Sequence, residues 1–256
     1  DWRERGVRLI DRLERLIVET DFRPLYDHKS KLFTLGYHVT LGRREDILYD
    51  LLASESRQAS FVAIALGQVS VAHWFALGRT MTKIGKEAVL VSWSGTMFEY
   101  LMPWNLMRTY PNTLWDSTYR GVVRKQIEYA RRRGVPFGIS ESGYYAFDYE
   151  MNYQYQAFGV PGLGFKRGLE RDLVIAPYAT ILAMPFAKRE SLDDLRKLES
   201  LGARGTYGFY EAVDCTQDRL PEGQSRMIVR SFMAHHQGMS MLTLANLLLP
   251  KKMYDR

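Results

Sequence analysis

The sequence predicts an all-α fold in which helices are joined by glycine- and aromatic-rich loops holding only short β pieces. Apolar residues recur at helical spacing along several stretches, and glycine or proline punctuates most of them. The stretches that read as strand are a few residues long. A chain of 256 residues with 46% hydrophobic and 25% charged content has enough apolar side chains for a real core.

The elements are taken in chain order. Residues 2 to 19 read as an amphipathic helix, with Val7, Leu9, Ile10, Leu13 and Leu16 on one side and charges opposite. Residues 21 to 43 hold Pro24, Gly36 and Gly42 and read as loop with short extended pieces, including Phe33 to Val39. A second helix is expected from Arg44 through Ala53. It continues or restarts into Gln58 to Leu66, which is apolar all round and therefore expected to be buried. Val69 to Leu77 gives a further short helix. Ala88 to Trp93 is β-like and leads into Ser94-Gly-Thr-Met, a loop that caps a helix at Met97 to Leu101.

Pro103 and Pro111 punctuate the next stretch. Ser117 to Arg133 is a long amphipathic helix stopped by Gly134. Residues 143 to 168, rich in Tyr, Gly and Gln, read as irregular. Leu173 to Phe186 reads as a buried helix, Ser191 to Leu201 as an exposed helix ended by Gly202, and Ser225 to Leu249 as a closing helix pair. Roughly seven to nine helices result, and no break in composition divides the chain, so one domain over residues 1–256 is expected. A toroidal (α/α) barrel gathers such loops at one end of a helix ring; on these grounds alone that is an architectural analogy.

Composition narrows the function classes. Much of the net charge of +6 sits in short runs, Arg131-Arg132-Arg133 and Lys251-Lys252, where a cationic last turn complements the helix dipole. The basic residues form no stripe and no recognition motif, so nucleic-acid binding is not supported. The one cysteine, Cys215, excludes an intramolecular disulfide and a cysteine-based zinc site. The chain opens on Asp1 rather than on a methionine or a signal peptide, as expected of a piece of a longer polypeptide. The most apolar C-terminal stretch, Met227 to Leu249, contains Arg230, His235, His236 and Gln237, which argues against a membrane span and for a buried helix.

Two glutamates carry the chemistry. Glu141 lies in Phe137-Gly-Ile-Ser-Glu-Ser-Gly-Tyr-Tyr145 and Glu211 in Tyr207-Gly-Phe-Tyr-Glu-Ala212. Carboxylates crowded by rings lose water, which raises the pKa toward the range of a general acid. Aromatic rings also stack on the apolar faces of sugars. An acid/base or acid/nucleophile pair at a glycosidic bond is therefore expected, against loop glutamates satisfied by backbone amides or an arginine. Glu99, in Trp93-Ser-Gly-Thr-Met-Phe-Glu-Tyr100, could bind sugar hydroxyls, join the catalytic set or cap its helix. Asp50, Ser54 and Arg57 fall on one face of the expected second helix, with Glu55 beside them. They suggest a polar cavity lining, or else a surface network.

His235-His-Gln-Gly-Met239 stands in an otherwise apolar helix. It lacks the spacing of a metal motif, so no metal is expected. It could bond a ligand or a catalytic carboxylate, or simply be a satisfied core histidine. Pro161-Gly-Leu-Gly-Phe-Lys-Arg-Gly168 lacks the ending and the preceding strand of a phosphate loop, and Ile139-Ser-Glu-Ser-Gly143 has the wrong frame for a serine nucleophile elbow.

Five motifs taken together resemble a known family. They are Tyr49-Asp-Leu-Leu-Ala-Ser-Glu-Ser-Arg57, Ser92-Trp-Ser-Gly-Thr-Met-Phe-Glu-Tyr-Leu-Met-Pro103, Gly138-Ile-Ser-Glu-Ser-Gly143, Tyr207-Gly-Phe-Tyr-Glu-Ala212 and Met233-Ala-His-His-Gln-Gly-Met239. In this order they resemble the glycoamylase-like module of cyclic β-1,2-glucan synthases, which is related to bacterial endo-β-1,2-glucanases. The resemblance covers nearly the whole chain. It implies an (α/α)6 toroid-type barrel, incomplete in this chain because twelve helices need more residues. It also implies cleavage and rejoining of β-1,2-glucan without a cofactor.

By motif, Glu211 and Glu141 take the catalytic positions, with Glu211 protonating the leaving oxygen and Glu141 attacking the anomeric carbon or activating water. Asp50, Glu55, Arg57, Trp93, Glu99, Tyr144, Tyr210 and His235 become candidates for the sugar cleft. The implied partners are β-1,2-glucan and neighbouring glycosyltransferase and phosphorylase-like modules of one chain. The implied place is the cytoplasmic face of the bacterial inner membrane, within a larger membrane protein. A non-catalytic β-glucan-binding module, using the same aromatics without a perturbed carboxylate, is the rival reading.

Overall fold

Several helices in this chain stop where glycine or proline intervenes, as at Gly67, Pro103, Gly134 and Gly202, in the computed structural model, which describes residues 1–249. It divides into two compact units. One comprises residues 1–52 and 57–78, the other residues 53–56 and the chain from Arg79 onward. The Lys251-Lys252 run lies outside the described residues.

In the first unit, α1 (Trp2–Glu19) is capped by the Asp1 carboxylate, which accepts the Arg3 N–H at 3.1 Å. The amphipathic pattern is as expected, yet none of its residues is buried. Short strands come next: β1 (Tyr26–Asp27), β2 (Leu32–Thr34), β3 (Tyr37–His38), β4 (Arg43–Arg44) and β5 (Leu48–Tyr49), then α2 (Arg57–Ala65) and α3 (Ala72–Ala76). Strands β1, β2 and β5 form an antiparallel sheet in that order, and β3 pairs with β4. A small core gathers Tyr26, Ala63 and Val69 under Phe22, Phe33 and Ile64.

Two expectations fail here. The helix expected over Arg44 to Ala53 is strand and turn, because Leu48 and Tyr49 pair with Thr34 and Phe33 in antiparallel register instead. A short apolar run suits either state, and tertiary pairing decides. Asp50, Ser54 and Arg57 therefore do not share a helix face. Helix α2 is not buried all round either: Arg57, Ser60 and Ala63 are buried, whereas Phe61 is half exposed.

The second unit opens with a hairpin of β6 (Met81–Ile84) and β7 (Glu87–Leu90), then α4 (Met97–Leu101) and α5 (Leu114–Arg133). Thr96 and Glu99 form a reciprocal capping box on α4. Helix α5 starts three residues earlier than its periodicity suggests, because Thr113 caps it, and ends in a left-handed Gly134 with Arg131, Arg132 and Arg133 in its last turn. Gly121 lets α5 lie close on β7: a Cβ there would stand 2.2 Å from Val89 Cγ2.

The expected irregular stretch contains an antiparallel hairpin, β8 (Ser142–Phe147) with β9 (Tyr153–Gln156), bulged between Tyr144 and Phe147. The expected helix from Leu173 begins as strand β10 (Val174–Ile175), and α6 (Pro177–Leu182) starts only at its proline. Next come α7 (Lys188–Ser200), β11 (Arg204–Gly205), β12 (Gly208–Phe209), β13 (Ala212–Asp214), β14 (Met227–Val229) and α8 (Ala234–Leu248). The first of the two closing helices is thus a strand, paired with β13 in the sheet β10-β13-β14.

Helix α8 buries His236, Met239, Ser240, Thr243 and Asn246 and leaves Met241 and Leu248 exposed, so its buried face is mostly polar rather than apolar. About 40% of the chain is helical. Fourteen short strands among the described residues lie between the helices, so the fold is helical with short β pieces, as expected. No described helix is long and apolar enough to cross a membrane.

Candidate active site

The turn that presents Glu141 is fixed by four other elements of the second unit. Gln126 on α5 holds Ile139 from both sides, donating to its carbonyl at 2.7 Å and accepting its N–H at 3.0 Å. Asp194 on α7 accepts the Phe137 N–H at 2.8 Å. Ser140 Oγ accepts the N–H of Phe98 on α4 at 3.0 Å. The hydroxyl of Tyr178 on α6 stands 2.8 Å from Ser140 Oγ and 2.9 Å from the Glu141 carbonyl oxygen. Gly138, at φ +132°, passes so close to Thr180 that a Cβ would meet its hydroxyl at 2.5 Å. The backbone of Glu141 has little freedom left.

Its side chain is partly buried, and Oε1 accepts a hydrogen bond from Tyr155 on β9 at 3.0 Å. Burial pushes the Glu141 carboxyl up to about 7 against the opposing pull of the Tyr155 bond, and the negative charges of Glu55 and Glu99 add to the rise. Glu55 is half-buried, with Oε2 accepting from Ser54 Oγ at 3.1 Å. It is the carboxylate whose charge acts most strongly on Glu141. Glu99 is buried, and its oxygens accept from the Ser94 and Thr96 N–H groups and the Ser92 and Thr96 hydroxyls. Burial raises its pKa as well.

Glu211 sits in a different setting. It is 2% exposed, between β12 and β13. The Gly143 N–H donates to Oε1 at 3.1 Å, and His236 Nδ1 lies 2.9 and 3.1 Å from its two oxygens. The His236 ring is fully buried, parallel to Tyr178 at 3.7 Å, and its Nε2 is 3.2 Å from the Tyr155 hydroxyl. The two glutamates are therefore linked in series, from Glu141 through Tyr155 and His236 to Glu211.

The other expected cleft residues divide. His235 is exposed, 3.5 Å from the Tyr155 hydroxyl, its pKa lowered by partial burial and then by His236. Trp93 is largely exposed on the loop that leads into α4 and is held by the Glu99 carboxylate. That loop is stitched to residues 163–166: Leu163 accepts the Ser92 N–H, and the Phe165 and Lys166 N–H groups donate to Ser92 and Trp93. Here lies the use of the glycine-rich stretch that superficially resembles a phosphate loop. Gly164 approaches the Ser94-Gly95 backbone too closely for a side chain.

Tyr144 donates to Gln154 Oε1 at 2.7 Å, with the Arg219 guanidinium 4.8 Å above its ring. Tyr210 packs on Phe232. Asp50 and Arg57 belong to the first unit. There the Asp50 carbonyl accepts the Gly78 N–H, and Arg57 is buried at the start of α2.

Sequence reasoning missed Tyr155, Tyr178 and the distinction between the two histidines. The last was legible: His236, Met239, Thr243 and Asn246 recur at helical spacing, which puts His236 rather than His235 on the inward face of α8. The tyrosines carry no such signal, since their contacts are made between elements far apart in sequence.

Residues 48–253 match the Glycoamylase family model, described as "Putative glucoamylase". The chain belongs to the glycoamylase family. A curated relative, the cyclic β-(1,2)-glucan synthase NdvB of Rhizobium meliloti (strain 1021), is 45% identical over 244 residues, which is 95% of this chain and 9% of that protein. Among solved structures, this glycoamylase-family fold is similar to a Bacteroides uniformis ATCC 8492 protein of the same description, with a TM-score of 0.70 at 14% identity over 94% of this chain and 59% of the other. It is also similar to an endo-β-1,2-glucanase from Chitinophaga pinensis, with a TM-score of 0.64 at 14% identity over 93% of this chain and 59% of the other. The glycoamylase-family chain thus spans a small part of the synthase and about three-fifths of each of these two structures.

Proposed function

We propose that this glycoamylase-family chain cleaves β-1,2-glucan and rejoins it, with Glu141 and Glu55 as the working carboxylates. The observation that carries the reading is Glu141 itself: a half-buried carboxyl raised to about 7, braced by Tyr155, with a second carboxylate acting on it. A glycosidase needs two carboxyl groups at one bond, one ionised and one holding a proton. Two that repel each other reach that state without help, because ionising one disfavours ionising the other. Glu141, the carboxyl that burial keeps protonated to higher pH, donates its proton to the departing glycosidic oxygen, and Glu55 attacks the anomeric carbon or activates water.

Glu211, to which the motif gives the proton-donor role, is 2% exposed and bonded on both oxygens. Its setting favours a supporting part. The substrate is proposed from the polymer that the synthase and the glucanase are named for. The (α/α)6 toroid, the neighbouring glycosyltransferase and phosphorylase-like modules and the cytoplasmic face of the inner membrane are proposed on the same footing, with the 9% share of the synthase as support for a multidomain setting.

Incubation with linear β-1,2-glucan, followed by separation of cyclic from shortened linear products, tests the reading. Products of either kind that vanish in Glu141→Gln support it. Glucan binding without any product sinks it in favour of the binding module.

A further inference from the structure

Tyr155 has one hydroxyl proton and two acceptors within reach. Its oxygen is 3.0 Å from Glu141 Oε1 and 3.2 Å from His236 Nε2. Whether the imidazole can accept is decided one step deeper. His236 Nδ1 lies 2.9 and 3.1 Å from the oxygens of Glu211, and a carboxylate only accepts, so Nδ1 carries the ring proton. In the neutral ring Nε2 is then a bare acceptor directed at Tyr155.

The arrangement is rigid. His236 has no solvent exposure, Tyr178 stacks on it at 3.7 Å, and His235 and Phe98 close the other sides at 4.0 and 6.4 Å between ring centres. The Gly143 N–H holds Glu211, and a Cβ at Gly143 would make a tight contact with Glu211 Cγ at 3.3 Å. Five residues are thus spent on the orientation of one ring that touches neither solvent nor Glu141 directly.

Resting on the reading in which Glu141 reacts with the glucan, we propose that Glu211 and His236 are positioning residues that give the Tyr155 hydroxyl a second resting place. While Glu141 is ionised, the O–H points at its Oε1, the stronger, charge-assisted bond. When Glu141 holds the proton it exchanges with the glycosidic oxygen, its charge is gone and the O–H rotates to His236 Nε2. When the carboxylate is freed, the O–H returns. The phenol proton itself does not change owner: burial and the Glu141 charge hold the phenol well above its usual range, so it stays protonated throughout. The phenol never has to leave its proton without an acceptor, a state that penalises a half-buried hydroxyl.

The test is a double-mutant cycle of Tyr155→Phe and Glu211→Gln in the protein as it occurs. It uses linear β-1,2-glucan as the probe, with kcat and KM measured separately across pH. Tyr155→Phe is expected to lower kcat roughly 10- to 100-fold with little change in KM. It should also move the pH limb set by Glu141 upward, since the lost bond is one that lowers that group. Glu211→Gln is expected to lower kcat by a smaller factor, and to cost nothing further once Tyr155 is Phe.

His236→Asn removes the Nε2 acceptor while keeping an amide near Nδ1. It should reproduce the Glu211→Gln behaviour, which keeps the test open if one variant folds poorly. Factors that multiply in the double variants, or a limb that stays in place in Tyr155→Phe, overturn the positioning role while leaving the Glu141 reading intact. Full activity in Glu141→Gln overturns that reading itself.

Discussion

The Glu141 and Glu211 turns share one style of sequence, a glutamate among glycines and aromatic rings, and end in opposite environments. Glu141 keeps solvent contact, a single phenol donor and the repulsion of Glu55 and Glu99, which leaves it straining toward the protonated form. Glu211 is sealed in, with a backbone N–H and an imidazole as partners. Aromatic residues near a carboxylate in sequence therefore report that it will be desolvated. Whether it is also compensated depends on donors arriving from elsewhere in the chain, here Gly143 for Glu211 across 68 residues and His236 from α8.

The largest effects should fall on activity. Glu141→Gln and Glu55→Gln are each expected to lower turnover of β-1,2-glucan by about 10³-fold or more, read as new chain ends or rings per unit time. Near-full activity in Glu55→Gln together with abolition in Glu211→Gln would invert the comparison. Stability should show the opposite ranking. Glu211→Ala leaves a buried imidazole N–H without its acceptor and should destabilise the fold by about 1–3 kcal/mol, measured as a shift in the denaturant midpoint.

Glu141→Gln should stabilise. The folded carboxyl titrates near 7 against an ordinary value of 4.5, so the folded state binds the extra proton between them. Stability at this residue is full below 4.5 and is lost as pH rises through 7. Removing the charge should then gain roughly 1–3 kcal/mol at pH 8, discounted for partial exposure, and nothing at pH 4. A gain that is the same at both pH values would mean that the carboxylate is not strained. The smallest effect sharpens the comparison from the side. Thr96→Ala breaks the capping box that holds Glu99 and should cost about 1 kcal/mol in thermal or denaturant unfolding.

Much of the second unit was legible in the order of its residues. The 97–101 helix with its capping loop, the long helix ended by Gly134 and the exposed helix ended by Gly202 are all set by caps and stops within a few residues of chain. The candidate site was legible as types of side chain: Glu141, Glu55, Glu99 and the histidine pair all stand around Tyr155 or act on it electrostatically, directly or through Glu141. Misread segments share one trait. Ile47 to Tyr49 within the Arg44 to Ala53 segment, Leu173 to Ile175 and Met227 to Val229 are short apolar runs that pair with strands elsewhere in the sequence, and periodicity over so few residues does not distinguish strand from helix.

By itself, then, the sequence determined the local events: helix starts and stops, the glycines that permit tight turns, and the presence of carboxylates crowded by rings. It also determined the family, because five motifs in fixed order are a property of the chain. Only the tertiary structure decided which glutamate is strained and which is satisfied, and which groups the two adjacent histidines bond to. It alone made Tyr155 the junction between Glu141 and His236. The reason is physical. Desolvation is largely local and follows neighbouring residues, whereas the hydrogen bonds and charges that offset it come from elements the chain brings together only on folding.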